Sequence, residues 1–77
     1  MVGKNDLKYL RALLVNPDPV VTATEVADEV GVTQQASHKK LAGLEARGLV
    51  LSKKVGANAR VWWLTTDGRR AYSESET

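Results

Sequence analysis

TATEVADEVGVTQQASHKKLAGLEARGL, Thr22 to Leu49, is the stretch on which the fold turns. Thr22-Ala23-Thr24-Glu25 has the form of a capping box, in which the Thr22 hydroxyl takes the Glu25 amide and the Glu25 carboxylate reaches back to the Thr22 amide. Ala23, Val26, Ala27 and Val30 recur at helical spacing, so a helix is expected over 22–30. Gly31 suits the left-handed residue that ends such a helix. Ala27 is small where two helices would cross closely, and Val32 is expected to fill the wedge between them. Thr33 caps a further helix, 33–47, with Leu41 and Leu44 turned inward, Ser37 above them and Gly48 at its end. Gln34, Gln35, His38, Lys39 and Lys40 crowd the start of that helix.

Upstream, Asn5 or Asp6 can cap a first helix over 6–15, with Leu7, Leu10 and Leu14 on one face and Leu13 beside them. Asn16-Pro17 stops it, because a residue before proline disfavours the α region. Val20-Val21 has room for a strand of two or three residues. Downstream, Leu49–Val55 and Arg60–Leu64 read as strands around Gly56-Ala57-Asn58-Ala59, predicting a hairpin over 49–64. Alternation puts Trp62 and Leu64 on one face and Val61 and Trp63 on the other, and separates Lys53 from Lys54. Thr65 can cap a last helix, 66–72, with Asp67 in its first turn; Ser73 to Thr77 are expected to fray. The expected fold class is α+β, mostly helical: a three-helix core, a β-hairpin and a short C-terminal helix, with 1–77 as a single domain.

Seventy-seven residues make one small domain with a thin stability margin. With no Cys and a single His, disulfides, thiolate sites and His-based metal clusters are not available, and neither a metal nor a cofactor is expected. There is no nucleophile–base pair and no Gly-rich phosphate loop, so an enzyme is not expected. No apolar run approaches the ~20 residues needed to cross a bilayer, and MVGKNDLKYL has no signal-peptide core, which makes no membrane association and a cytoplasmic location the expectation. The net charge is only +2, but it is unevenly spread. Between residues 33 and 63 stand Lys39, Lys40, Arg47, Lys53, Lys54 and Arg60 against the single acid Glu45. That segment is a candidate footprint for a polyanion.

The order helix, short strand, helix, turn, helix, hairpin resembles a winged helix-turn-helix domain. Ala27 and Gly31 stand at its small-residue and turn-glycine positions. Leu44-Glu45-Ala46-Arg47-Gly48-Leu49-Val50 resembles the LExxGLV junction between recognition helix and wing. Leu64-Thr65-Thr66-Asp67-Gly68-Arg69 resembles the LTxxGR step that follows the wing in MarR-type and related prokaryotic regulators. The three strings span roughly residues 6–72. Ser37 departs from the pattern, standing where the family usually carries a branched aliphatic. The long additional helices through which MarR-type proteins dimerise and bind small molecules are not seen in these residues, so effector sensing is not among the things the resemblance is taken to imply.

The resemblance implies a small transcriptional regulator that binds double-stranded DNA sequence-specifically, with helix 33–47 in the major groove and the 53–60 wing on the backbone or minor groove. Gln34, Gln35, His38 and Lys39 are then the base-edge candidates, since Gln can pair with adenine and Lys with guanine. Lys39 and Lys40 are phosphate candidates, and Thr33 a cap whose hydroxyl or neighbouring amides can also meet a phosphate. On the wing, Lys53, Lys54, Asn58 and Arg60 are the candidates. Trp62 is expected in the core. Trp63 either marks an interface together with Tyr9 and Tyr72 or packs on one of those tyrosines within the chain. A homodimer is expected, because palindromic sites match two-fold symmetry. The competing function is a winged helix used as a protein-interaction module.

Overall fold

The computed structural model describes residues 2–57 and 59–76, with seven elements: α1 (Lys4–Val15), β1 (Val21–Thr22), α2 (Ala23–Val30), α3 (Gln34–Ala46), β2 (Val50–Lys54), β3 (Arg60–Leu64) and α4 (Thr66–Glu76). The helical pair at the centre is held by local chemistry. The Glu25 amide donates to Thr22 Oγ1 at 3.2 Å and the Thr22 amide to Glu25 Oε1 at 2.9 Å, closing the capping box. Gly31, at φ 86°, turns the chain, and its amide and that of Val32 both donate to the Ala27 carbonyl. Thr33 Oγ1 accepts the Ala36 amide at 3.1 Å and starts α3.

Val21 pairs with Trp62 and Thr22 with Val61, so the two residues of β1 extend the hairpin to a three-stranded antiparallel sheet in the order β1-β3-β2. The sheet closes one side of the helical core. Leu10 of α1, Val26 of α2, Leu41 and Leu44 of α3, and Val21, Val50 and Trp62 of the sheet are all but removed from solvent. Each contributes about 1.5–3 kcal/mol relative to leaving it exposed. The fold is the winged helix that the order of elements implied.

Four details differ from the sequence reading. α1 starts at Lys4 behind Gly3, and Asp6 is not its cap; its carboxylate instead takes the Gly3 amide from the third helical position. The inward face of α1 is Asp6, Tyr9, Leu10 and Leu13, at i, i+3, i+4 and i+7, which leaves Leu14 exposed. Val32 lies at the surface, because the left-handed turn carries it past the wedge it was expected to fill. α4 continues to Glu76, four residues beyond Tyr72, with Ala71 and Tyr72 packed against the core.

The LTxxGR step has a compact physical basis. Thr65 Oγ1 accepts the Gly68 amide at 2.9 Å and donates to the Gly48 carbonyl at 2.7 Å, capping α4 and tying it to the end of α3. The Thr65 amide donates to the Leu49 carbonyl at 3.1 Å. A Cβ on residue 68 would lie 2.0 Å from that carbonyl oxygen, so only glycine allows this approach.

Candidate nucleic-acid interface

α3 presents four sides. Ser37, Leu41 and Leu44 face the core. Lys40 and Arg47 face α1, where both engage Asp6; the Arg47 Nη1 to Asp6 Oδ2 distance is 2.8 Å. Burial by itself raises the Asp6 carboxyl pKa, but hydrogen bonds from Arg47, Lys40 and the Gly3 amide outweigh it and hold the group well below the ordinary carboxylate range. Gln35 and Lys39 point outward, and Gln34 and His38 turn toward the hairpin; these four form one exposed patch.

The hairpin register decides which wing cations join that patch. Ser52 pairs with Trp62 and Lys54 with Arg60, so Ser52, Lys54 and Arg60 share the face of buried Trp62, while Leu51, Lys53, Val61 and Trp63 share the opposite one. Lys54 and Arg60 therefore come together with Thr22, Thr24, Gln34 and His38 around a cleft of about 360 Å³ between the start of α2, the start of α3 and the wing. The His38 ring meets the Trp62 indole edge-on, with centroids 5.6 Å apart at 84°. The imidazole is thus braced at the cleft while remaining exposed.

The candidates from the sequence divide accordingly. Thr33 is the cap of α3; Gln34 and His38 line the cleft with Lys54 and Arg60, and the same two residues border the outward patch that holds Gln35 and Lys39. Lys40 is set apart from them: its ammonium pairs with Asp6 and faces α1, because the 100° helical step carries it a quarter turn past Lys39. Lys53 is exposed on the sheet face away from the cleft. Asn58 lies outside the described residues. Tyr9 is corrected as an interface residue: at 4% exposure it belongs to the core, on the inward stripe of α1. Trp63 is half-buried and pairs with Leu51, which is 47% exposed, on the outer sheet face; Tyr72 is half-buried against the core. Trp62 is in the core at 1% exposure.

Three residues were missed in the sequence. Asp6 was read as a cap rather than as the anchor of two cations. Ser52 was not singled out, and Glu45 was noted only as the lone acid of the basic segment and as part of the LExxGLV string, yet Ser52 Oγ donates to Glu45 Oε2 and accepts from Arg60 Nη1, both at 2.8 Å. Strand alternation counted from Trp62 would have placed Ser52 and Arg60 on one face, had the register been known.

A model of the MarR family matches residues 5–60. The chain belongs to the MarR family. Its fold is that of solved family structures. BpsR of Bordetella bronchiseptica, whose DNA binding is regulated by 6-hydroxynicotinic acid, superposes with a TM-score of 0.86 at 21% identity over 97% of this chain and 57% of that one. FabT of Streptococcus pneumoniae, solved in complex with DNA, superposes at 0.80 with 19% identity over 97% of this chain and 52% of that one. BldR of Sulfolobus solfataricus, a transcriptional regulator, gives 0.77 at 25% identity over 92% of this chain and 50% of that one. The chain thus spans about half the length of these MarR-like relatives. No curated protein matches it. Among the described residues no helix is long and apolar enough to cross a membrane, and no group of three His, Asp or Glu could hold a metal ion.

Proposed function

We propose that this chain binds double-stranded DNA sequence-specifically and serves as a small transcriptional regulator, inserting the start of α3 into the major groove with the wing on the backbone. The observation that carries this reading is the convergence of Gln34 and His38 of α3 with Lys54 and Arg60 of the wing around one cleft, with Gln35 and Lys39 on the adjoining outward patch of α3. Membership of the MarR family supports it. Gln34 and Gln35 can read adenine and Lys39 guanine, each good pair being worth about 1–3 kcal/mol of discrimination. Lys54 and Arg60 stand directly opposite each other on the hairpin, a like-charge pair that costs stability unless an anion lies nearby. A backbone phosphate is such an anion. A cytoplasmic homodimer on a palindromic site fits the recognition geometry, which favours two half-sites about one helical turn apart.

Selection of bound duplexes from a random pool, followed by anisotropy titration of the winning sequence, tests the proposal. A recurring motif weakened by Gln35→Ala or Lys39→Ala is expected. Equal affinity for all sequences at every salt concentration would rule out sequence-specific regulation.

The second reading, a protein-interaction module, is favoured by one observation: Leu51, Val61 and Trp63 leave an apolar strip on the outer sheet face. Co-purification with a protein partner that Leu51→Asp abolishes, without duplex binding at low salt, would support it instead.

A further inference from the structure

Arg60 is the wing cation whose guanidinium is held by a hydrogen-bonded relay that begins on α3. Glu45 Oε2 accepts the Ser52 hydroxyl proton, which turns the oxygen lone pairs of Ser52 toward Arg60 Nη1; both contacts are 2.8 Å long. A hydroxyl has one proton to donate, so a carboxylate on one side and a guanidinium on the other fix its direction. The relay runs diagonally across the hairpin, since the direct partner of Arg60 is Lys54 and Ser52 lies two residues from it on the same face. Long side chains can span such a diagonal. The diagonal bond holds the guanidinium toward Ser52, and both Arg60 and Lys54 line the cleft beside α2 and α3. Among the described residues one Arg60 nitrogen donates a hydrogen bond, into the relay, and the residue remains exposed, so its other N–H groups can reach an anion.

We propose that Ser52, anchored by Glu45, is a positioning residue that sets the direction of Arg60 for a DNA phosphate. The relay would then lock the wing to the helix that enters the major groove, so that backbone contact and base reading keep one register. This inference rests on the DNA-binding reading above and names residues for it that touch no DNA themselves. An acid on the recognition helix would ordinarily repel the duplex; in this arrangement Glu45 acts for binding, through Ser52 and Arg60.

The test is a double-mutant cycle, with binding to a mixed-sequence 20-bp DNA duplex read by fluorescence anisotropy and folding checked by circular dichroism. Arg60→Ala is expected to weaken binding roughly tenfold and to lower the log–log salt slope by about one, as for a single lost phosphate contact. Ser52→Ala is expected to weaken it about threefold when Arg60 is present and by less than about 1.5-fold in the Arg60→Ala background, the signature of direct coupling. Ser52→Thr keeps the hydroxyl and is expected to bind as the parent does, which separates loss of the hydrogen bond from loss of fold. Glu45→Ala should be about threefold less favourable to binding with Arg60 present than without it. A Ser52→Ala effect that persists undiminished without Arg60, or a Ser52→Ala protein that binds normally while Arg60→Ala does not, would overturn the relay alone. If Arg60→Ala leaves affinity intact, the relay is equally overturned. A parent chain that binds no duplex even at low salt would instead defeat the DNA-binding reading, and this inference with it.

Discussion

Ser37 is where one side chain most plainly opposes its surroundings. It is 0% exposed on the core side of α3, and its hydroxyl has no hydrogen-bond partner among the described residues. A buried, unpaired hydroxyl costs about 1–3 kcal/mol, and alanine is also the better helix former. Ser37→Ala is therefore expected to stabilise the protein by about 1 kcal/mol, raising Tm by roughly 4–8 °C in calorimetry; an unchanged or lower Tm would mean that the hydroxyl is satisfied. Asp6 is the opposite case, a buried carboxylate with more partners than most. Its folded pKa is depressed, so the stability it contributes is fully present above the unfolded value near ~3.9 and is lost as pH falls toward the lower folded value. Lys40 and Arg47 are partly solvent-exposed, which discounts the pair. Asp6→Asn is expected to cost about 1–2 kcal/mol at neutral pH by urea denaturation, with the gap to the parent constant down to about pH 5 and narrowing below about pH 4. A gap independent of pH down to pH 2 would show that charge plays no part.

At the scale of elements, Gly68 sets helix propensity against packing. Alanine in place of a helical glycine ordinarily gains about 1 kcal/mol. Here the added Cβ would lie 2.0 Å from the Leu49 carbonyl oxygen and 3.0 Å from its carbon, both backbone atoms that cannot swing aside. Moving α4 away would stretch the Thr65 bonds to Gly48 and Leu49. Gly68→Ala is accordingly expected to destabilise by about 2–3 kcal/mol by chemical denaturation; a gain would disprove the close approach. The same contrast explains what could be read in the sequence. α2, α3 and their turn were legible because the Thr22–Glu25 box, the Gly31 turn and the Thr33 cap are local, with partners three or four residues apart. The hairpin was legible because its loop is short and its strands alternate. The Asp6–Lys40–Arg47 cluster, closed across 41 residues in one of its bonds, depends on how α1 packs on α3. The inward stripe of α1 was misread by one position for the same reason: its apolar residues cover more than one face, and packing with α3 selects Tyr9 over Leu14. The Arg60–Ser52–Glu45 relay needed the hairpin register, which no single strand specifies.

At the scale of the molecule, charge counting from sequence and charge placement in the structure lead to different binding behaviour. Six cations fall between residues 33 and 63. Lys40 and Arg47 are drawn to Asp6 on the α1 side, and Lys53 lies on the outer sheet face. Lys39 on the outward patch of α3 and Lys54 and Arg60 at the adjoining cleft remain. Each phosphate neutralised releases counterions worth a slope of about −0.9 in log affinity against log salt. All six cations would give a slope near −5, whereas these three give about −3 per chain, doubled for a dimer that engages two half-sites. Titrating a duplex across a range of salt concentrations is expected to return the smaller value. Lys39→Ala or Lys54→Ala should each reduce it by about one, and Lys40→Ala should leave it unchanged, because the Lys40 ammonium is paired with Asp6 on the α1 side of α3. A Lys40→Ala slope that falls as far as that of Lys39→Ala would mean that the ion pair opens on DNA and that the α1 side of α3 also belongs to the interface.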